Sequence, residues 1–186
     1  MNPTSRLARG LFALALSATL AQAEDPRFGV QVHGNIPTGD LKDAVDNKLG
    51  IGGGAHATFD LGLGHLIRPR LDYTFFPEAT LRSGSASLKN KVNNLSIGAD
   101  YLYFIEGRPV GFYVTGGLSL NHWKVEVSSS LGNFSESSNK AGFAAGAGFN
   151  FNKSFGAEIR FLTSKYSSGT QDFTASALQA GVTLRF

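Results

Sequence analysis

Residues 178–186 read Leu-Gln-Ala-Gly-Val-Thr-Leu-Arg-Phe. Every second residue, Leu178, Ala180, Val182, Leu184 and Phe186, is apolar, while Gln179, Gly181, Thr183 and Arg185 between them are polar or small. This is the period of a strand whose two faces meet different surroundings. The run begins near Phe173 and stops on an aromatic residue with no polar segment after it. What its apolar face lies against is settled by the rest of the chain.

The same alternation recurs over residues 27–36, 51–61, 65–76, 92–104, 110–127, 141–151 and 155–166, and no stretch after Glu24 sustains a helical period. The fold class is therefore all-β, with eight strands. The links between them alternate in length. Gly62-Leu63-Gly64, residues 105–109 and Asn152-Lys153-Ser154 are tight, whereas 37–50 (PTGDLKDAVDNKLG), 77–90 (PEATLRSGSASLKN) and 128–140 (SSSLGNFSESSNK) run to about a dozen residues each, and 167–172 (SSGTQD) is intermediate. One end of the bundle carries turns and the other loops. That asymmetry belongs to an eight-stranded antiparallel up-and-down transmembrane β-barrel with short periplasmic turns and longer extracellular loops. An even strand count places both ends of the barrel domain on the periplasmic side.

Alternation alone does not say which face points inward, because a soluble barrel alternates too, with its apolar face inside. Residue types decide it. One face carries Val110, Phe112, Val114, Leu118, Leu120, Ile159, Phe161 and the apolar residues of 178–186, with no charge at the strand centres. The other carries Gln31, His33, His56, Arg68, Arg70, Asp72, Asp100, Tyr113, Thr115, Glu158, Arg160, Gln179 and Arg185, interleaved with glycines. All eight lysines fall in links or at strand ends, and the strand-centre cations are arginines. Arginine tolerates burial by forking onto carboxylates, so the polar face reads as an enclosed lumen. Tyr101, Tyr103, Phe149, Phe151 and Phe155 near the turn end, and Tyr73 and Phe75 near the loop end, fit interfacial aromatic girdles.

Residues 1–23 have a basic start with Arg6 and Arg9, an apolar run over 11–20 and Ala21-Gln22-Ala23 as a small-residue cleavage site. A spanning helix needs about 20 apolar residues, roughly twice this run. The reading is a cleaved signal peptide at 1–23 and an outer-membrane β-barrel domain at 24–186. Loss of the leader reduces the 17 basic residues to 15 against 14 acidic ones, which removes the basic excess that a nucleic-acid partner would need. There is no cysteine, so an exported chain of this sequence is held by pairing and packing rather than by disulfides.

The last strand, with Val182, Leu184 and Phe186, resembles the C-terminal signal that the barrel assembly machinery recognises. Together with the leader and the alternating links, residues 24–186 resemble the small eight-stranded outer-membrane barrel family that includes OmpA-like transmembrane domains, OmpX-like proteins and the opacity-type porin family. The resemblance implies an integral, multi-pass protein in the outer membrane of a Gram-negative bacterium, in contact with outer-membrane lipid and lipopolysaccharide. It does not imply a particular activity.

Asp60, Arg68, Arg70, Asp72, Asp100, Glu158, Arg160 and Arg185 are expected in the lumen, mostly in its turn-side half, as an ionic network. The alternative is a set of separate side chains solvated by trapped water. His33 and His56 face the lumen on neighbouring strands, but two imidazoles without a third ligand make a poor metal site. His122, Glu126 and Ser128 suggest a surface hydrolase, and outer-membrane lipid A deacylases resemble this chain in fold and in using a surface His and Ser. Their His-x-Ser pair is not matched, since Lys124 stands at the second position. The glycine-rich stretches 50–56 and 142–150 echo phosphate-binding loops but lie within strand alternation with no helix following.

No catalytic residue, cofactor or metal is expected. The function read from the sequence is a non-enzymatic surface protein, structural or adhesive, acting through extracellular loops on a closed barrel. Leu131 and Phe134 are candidate contacts for a host or surface ligand. Lys89, Lys91, Lys124, Lys140 and Lys165 fall near the loop rim, where pairing with lipopolysaccharide phosphates is expected. The alternative is a narrow porin or carrier for small or apolar solutes.

Overall fold

The computed structural model describes residues 26–83, 86–129, 132–168 and 171–186. The expected leader at 1–23 and the candidate contact Leu131 lie outside these residues. The alternating runs form β1 (Arg27–Gly39), β2 (Gly50–Asp60), β3 (His65–Ser83), β4 (Ala86–Phe104), β5 (Gly111–Ser129), β6 (Gly132–Asn150), β7 (Phe155–Ser168) and β8 (Gln171–Arg185). Each strand pairs antiparallel with the next, and β8 returns to β1 from Gly29↔Arg185 to Gly39↔Ala175, closing the barrel. Closure leaves no sheet edge, the condition for a β-structure to cross hydrocarbon with its backbone satisfied.

The faces are inverted relative to a soluble barrel. Phe112, Leu118 and Ile159 point outward, Leu118 being 73 % exposed, while Arg68, Asp100 and Glu158 are buried inside, Arg68 with only 3 % of its surface exposed. At the turn end the outer face carries a chain of ring contacts, Phe112 to Phe149 at 4.7 Å, Phe149 to Phe151 at 5.1 Å and Phe151 to Phe155 at 5.4 Å between centroids. His65 packs between Tyr101 and Tyr103 at the same level. The turns there are set by local chemistry. Gly62, Leu63 and Gly64 all have positive φ. The Asn152 side-chain oxygen accepts from the Ser154 and Phe155 amides at 2.8 Å each.

At the opposite end the structure departs from the sequence reading in two ways. Residues 77–90 and 128–140 are for the most part strand rather than loop. The β3–β4 ladder continues from Ala79↔Asn90 to Ser83↔Ala86, and the β5–β6 ladder from Val127↔Phe134 to Ser129↔Gly132. Beyond the membrane both faces of a hairpin can meet water, so the apolar alternation that marks a strand fades although backbone pairing continues. The register shifts between Phe76 and Ala79, where Pro77 lacks the N–H a ladder would need.

The first long link contains a short helix, α1 (Asp40–Ala44), with Leu41 and Val45 turned into the barrel mouth. One turn of helix is too short to show a 3.6-residue period, which is why the sequence gives no sign of it.

Inside, the lumen is layered. A buried apolar cluster of Leu66, Leu102, Phe104 and Tyr113 lies at the turn end. Charged side chains from β3, β4 and β7 cross the middle. A second apolar cluster, Leu41, Val45, Phe76, Val92, Trp123, Ala175 and Ala177, fills the mouth at the other end.

Candidate functional site

The charged layer starts from one strand. Arg68, Arg70 and Asp72 are spaced by two along β3, so all three project inward. The register sets Arg68 opposite Asp100 on β4, and Glu158 and Arg160 reach the same level from β7. Asp100 is the hub. Its Oδ2 accepts from Arg160 Nη1 at 2.7 Å, Arg68 Nη2 at 2.8 Å and Arg70 Nη1 at 3.1 Å.

Glu158 accepts from Arg68 Nη2 at 2.7 Å and from the Tyr113 hydroxyl at 2.8 Å. Its other oxygen lies 3.4 Å from Arg70 Nη1 and 3.3 Å from Arg160 Nε. Asp72 takes Arg70 in a fork, Nε at 2.5 Å and Nη2 at 2.9 Å, and also accepts from Gln31 at 2.8 Å. Three guanidinium groups thus face three carboxylates, and the layer is neutral.

Its margins are held by amides and imidazoles. Arg160 Nε donates to Gln179 at 3.2 Å, and Gln179 Nε2 reaches Asn35 Oδ1 at 3.1 Å and His33 Nδ1 at 3.0 Å. His33 also stands 3.4 Å from Asp72, while His56 bonds Gln31 at 2.5 Å. The two histidines are therefore engaged on different amide partners rather than converging on a common point.

Two of the eight residues expected in the network stand apart from it. Asp60 ends β2, and its carboxylate accepts from the Gly62 amide at 2.8 Å, so it braces the turn instead of meeting an arginine. Arg185 is buried in the lumen, but among the described residues no carboxylate pairs with it, and its Nε and Nη2 have no hydrogen-bond partner. The members absent from the sequence list are Tyr113, Gln31 and Gln179. Their inward parity was visible, but only the closed geometry brings a hydroxyl and two amides to the charged groups.

Room for this layer comes from glycines on facing strands. A Cβ on Gly117 would stand 2.0 Å from Asp100 Oδ1, and one on Gly148 would stand 2.3 Å from the Tyr113 ring. Gly148→Val should therefore push Tyr113 off Glu158 and cost about 1–3 kcal/mol as an overpacking substitution. Urea unfolding of the refolded barrel checks this, and an unchanged midpoint would refute it.

On the outer surface, His122 bonds Asn139 Oδ1 at 2.8 Å, and Glu126 pairs with Lys124 at 2.6 Å. That contact holds the lysine above its ordinary pKa and the glutamate below its own. The imidazole and carboxylate are thus committed to different partners. Above the mouth cluster, α1, β4, β5, β6 and β8 enclose a cavity of about 490 Å³ open to the outside.

A family model described as the outer membrane protein beta-barrel domain matches residues 10–186. The chain belongs to that family. Solved outer-membrane barrels share its fold at low identity. The Ail attachment invasion locus protein of Yersinia pestis is 16 % identical with a TM-score of 0.59, covering 87 % of this chain and 97 % of Ail. Neisserial surface protein A is 14 % identical with a TM-score of 0.59, covering 88 % and 99 %. The N-terminal β-barrel domain of Pseudomonas aeruginosa OprF is 15 % identical with a TM-score of 0.60, covering 89 % and 100 %. No curated protein sequence matches this one.

This outer-membrane barrel is thus an integral protein of the Gram-negative outer membrane. Its outward apolar band faces lipid and its ionic layer faces the lumen.

Proposed function

We propose that this barrel is a non-enzymatic surface protein, structural or adhesive, that presents its outer hairpins on a lumen closed to solutes. The observation that supports it best is closure in three successive layers: the apolar cluster around Phe104, the six-residue ionic layer and the apolar mouth. Between the ionic layer and the mouth lies a chamber of only about 50 Å³, lined by groups such as Asn94, Ser96, Ser119 and Asn121. That is room for a few water molecules, not for a solute path.

Residues 1–23 act in this reading as the export signal, and the Val182, Leu184 and Phe186 strand as the segment offered to the assembly machinery. Lys89 and Lys124 stand at the outer rim with Glu78 and Glu126 as partners at 2.9 and 2.6 Å, and Lys91 lies over the Phe75 ring. These cations would meet lipopolysaccharide phosphates. Ail, of the same fold, has been solved in complex with the heparin analogue sucrose octasulfate, and by analogy a surface ligand is proposed for this chain.

The alternative, a narrow porin or carrier for small or apolar solutes, draws on the cavity above the mouth and its apolar wall. Single-channel recording in a planar bilayer separates the two. The closed-barrel reading expects a silent wild type, and a steady conductance would replace it with the narrow porin.

A further inference from the structure

The β5–β6 hairpin is amphipathic where it has no need to be. Past the mouth, Trp123, Val125 and Val127 continue the inward face of β5, while Lys124, Glu126 and Ser128 take the outward face. Across the ladder Val125 pairs with Glu136 and Val127 with Phe134, and Phe134 is 64 % exposed. A hairpin standing in water would normally show polar residues on both faces. Here the apolar face looks into the 490 Å³ cavity, whose floor is Leu41, Val92, Trp123 and Ala175. Its volume falls in the range of small-molecule sites, about 300–1,000 Å³.

Among the described residues, the charged side chains that line the cavity are all acidic. Asp40 and Asp43 come from α1 and Glu136 from β6, and among the described residues no lysine or arginine lines it. Asp40 is fixed by accepting from the Thr174 amide at 2.8 Å. Lys124, on the neighbouring strand, is turned to the outer face and pairs with Glu126. The Trp123 indole N–H is directed away to Ser164 at 3.0 Å. Trp123 and Phe134 add π surfaces to the apolar wall.

From these features we infer that the outer cup binds a small organic cation, an aromatic or alkyl ammonium whose apolar body lies on Trp123, Val125, Val127 and Phe134 while its charge meets the carboxylate rim. Carboxylates beside an apolar wall repel anionic amphiphiles, and aromatic faces attract an ammonium group within about 6 Å. Nothing in this inference requires a sealed lumen, so cup binding and conductance can each fail alone.

Trp123 is the single tryptophan of the chain, so its emission reports the floor of the cup directly. The full barrel, reconstituted in phospholipid nanodiscs, is titrated with benzyltrimethylammonium, with its neutral isostere neopentylbenzene and with the anion phenylmethanesulfonate, against empty nanodiscs. The cation should give a saturable change and bind at least about tenfold more tightly than either comparator. In the Asp43→Asn, Glu136→Gln double variant that preference should disappear, leaving cation and neutral isostere alike. The inference is overturned by a wild type with no saturable response, by equal binding of cation and isostere, by a preference for the anion, or by an undiminished preference in the double variant.

Discussion

Asp100→Ala should destabilise the barrel by about 3–5 kcal/mol, the loss expected when one side of a buried ionic contact is removed and its partners stay behind. Three arginines converge on the Asp100 carboxylate at 2.7 to 3.1 Å, and all three are buried. Without it, Arg68 retains Glu158, Arg70 retains its fork on Asp72, and Arg160 retains only a 3.2 Å bond to Gln179 and a 3.3 Å approach to Glu158. The six-residue layer becomes cationic by one charge, beside an Arg185 that already has no carboxylate partner among the described residues.

Arg160→Ala should cost less, because Asp100 keeps two of its three donors. Urea titrations of both variants in lipid, followed by Trp123 emission, give the ranking. The same variants in a planar bilayer should leak, Asp100→Ala with anion preference because its lumen carries surplus guanidinium charge. A loss for Asp100→Ala under about 1 kcal/mol, the value of an exposed pair, together with a silent bilayer, would mean that the layer neither stabilises nor seals.

The absolute level of stabilisation is a separate matter. Dehydrating three arginines and three carboxylates is expensive, and a well-packed apolar replacement of the whole set would be about neutral or even stabilising. The layer is therefore better understood through its geometry. A neutral, forked network spans the lumen with fixed side chains, and Gly117 and Gly148 on the facing strands leave space that nothing larger would permit.

The parts of this molecule that stood out in the sequence are those the bilayer imposes. Hydrocarbon on one side and an enclosed lumen on the other force a strict period of two. Leu178 to Phe186 showed the outer face, and Arg68, Asp72 and Glu158 showed the inner one. The absence of lysine from the expected strand centres then separated a membrane barrel from a soluble one, although the longer β5 and β6 of the structure take in Lys124 and Lys140.

Where the bilayer ends, that constraint ends too. The serine-rich residues 128–140 look like a loop because both faces of their hairpin can be polar, although the backbone ladder runs on to Ser129↔Gly132. Asp60 was assigned to the ionic layer on parity and depth alone, and neither reveals that its carboxylate turns to the Gly62 amide. The mouth cluster was missed for a different reason. Leu41 and Val45 sit in a polar-looking link and meet Phe76, Val92 and Trp123 only after the barrel closes.

That cluster leads to the second large effect. Phe76→Ala should lower stability by about 3–5 kcal/mol, as for other buried aromatic truncations. Phe76 is 1 % exposed, and its ring lies so close to Gly50 that a Cβ there would stand 2.7 Å from it. It shares the cluster with Leu41 and Val45, so its removal takes away an apolar surface on which the first link packs.

A one-turn helix has little stability of its own, and α1 depends on such packing to remain in the mouth. Trp123 belongs to the same cluster, so water entering the mouth of Phe76→Ala should shift its emission to the red even before the barrel unfolds. Phe76→Leu should retain most of the stability and the blue emission, because it restores apolar volume without the ring. If Phe76→Ala unfolds at the wild-type urea concentration with unchanged emission, the mouth is not held by this cluster, and closure of the outer end must be sought in the ionic layer alone.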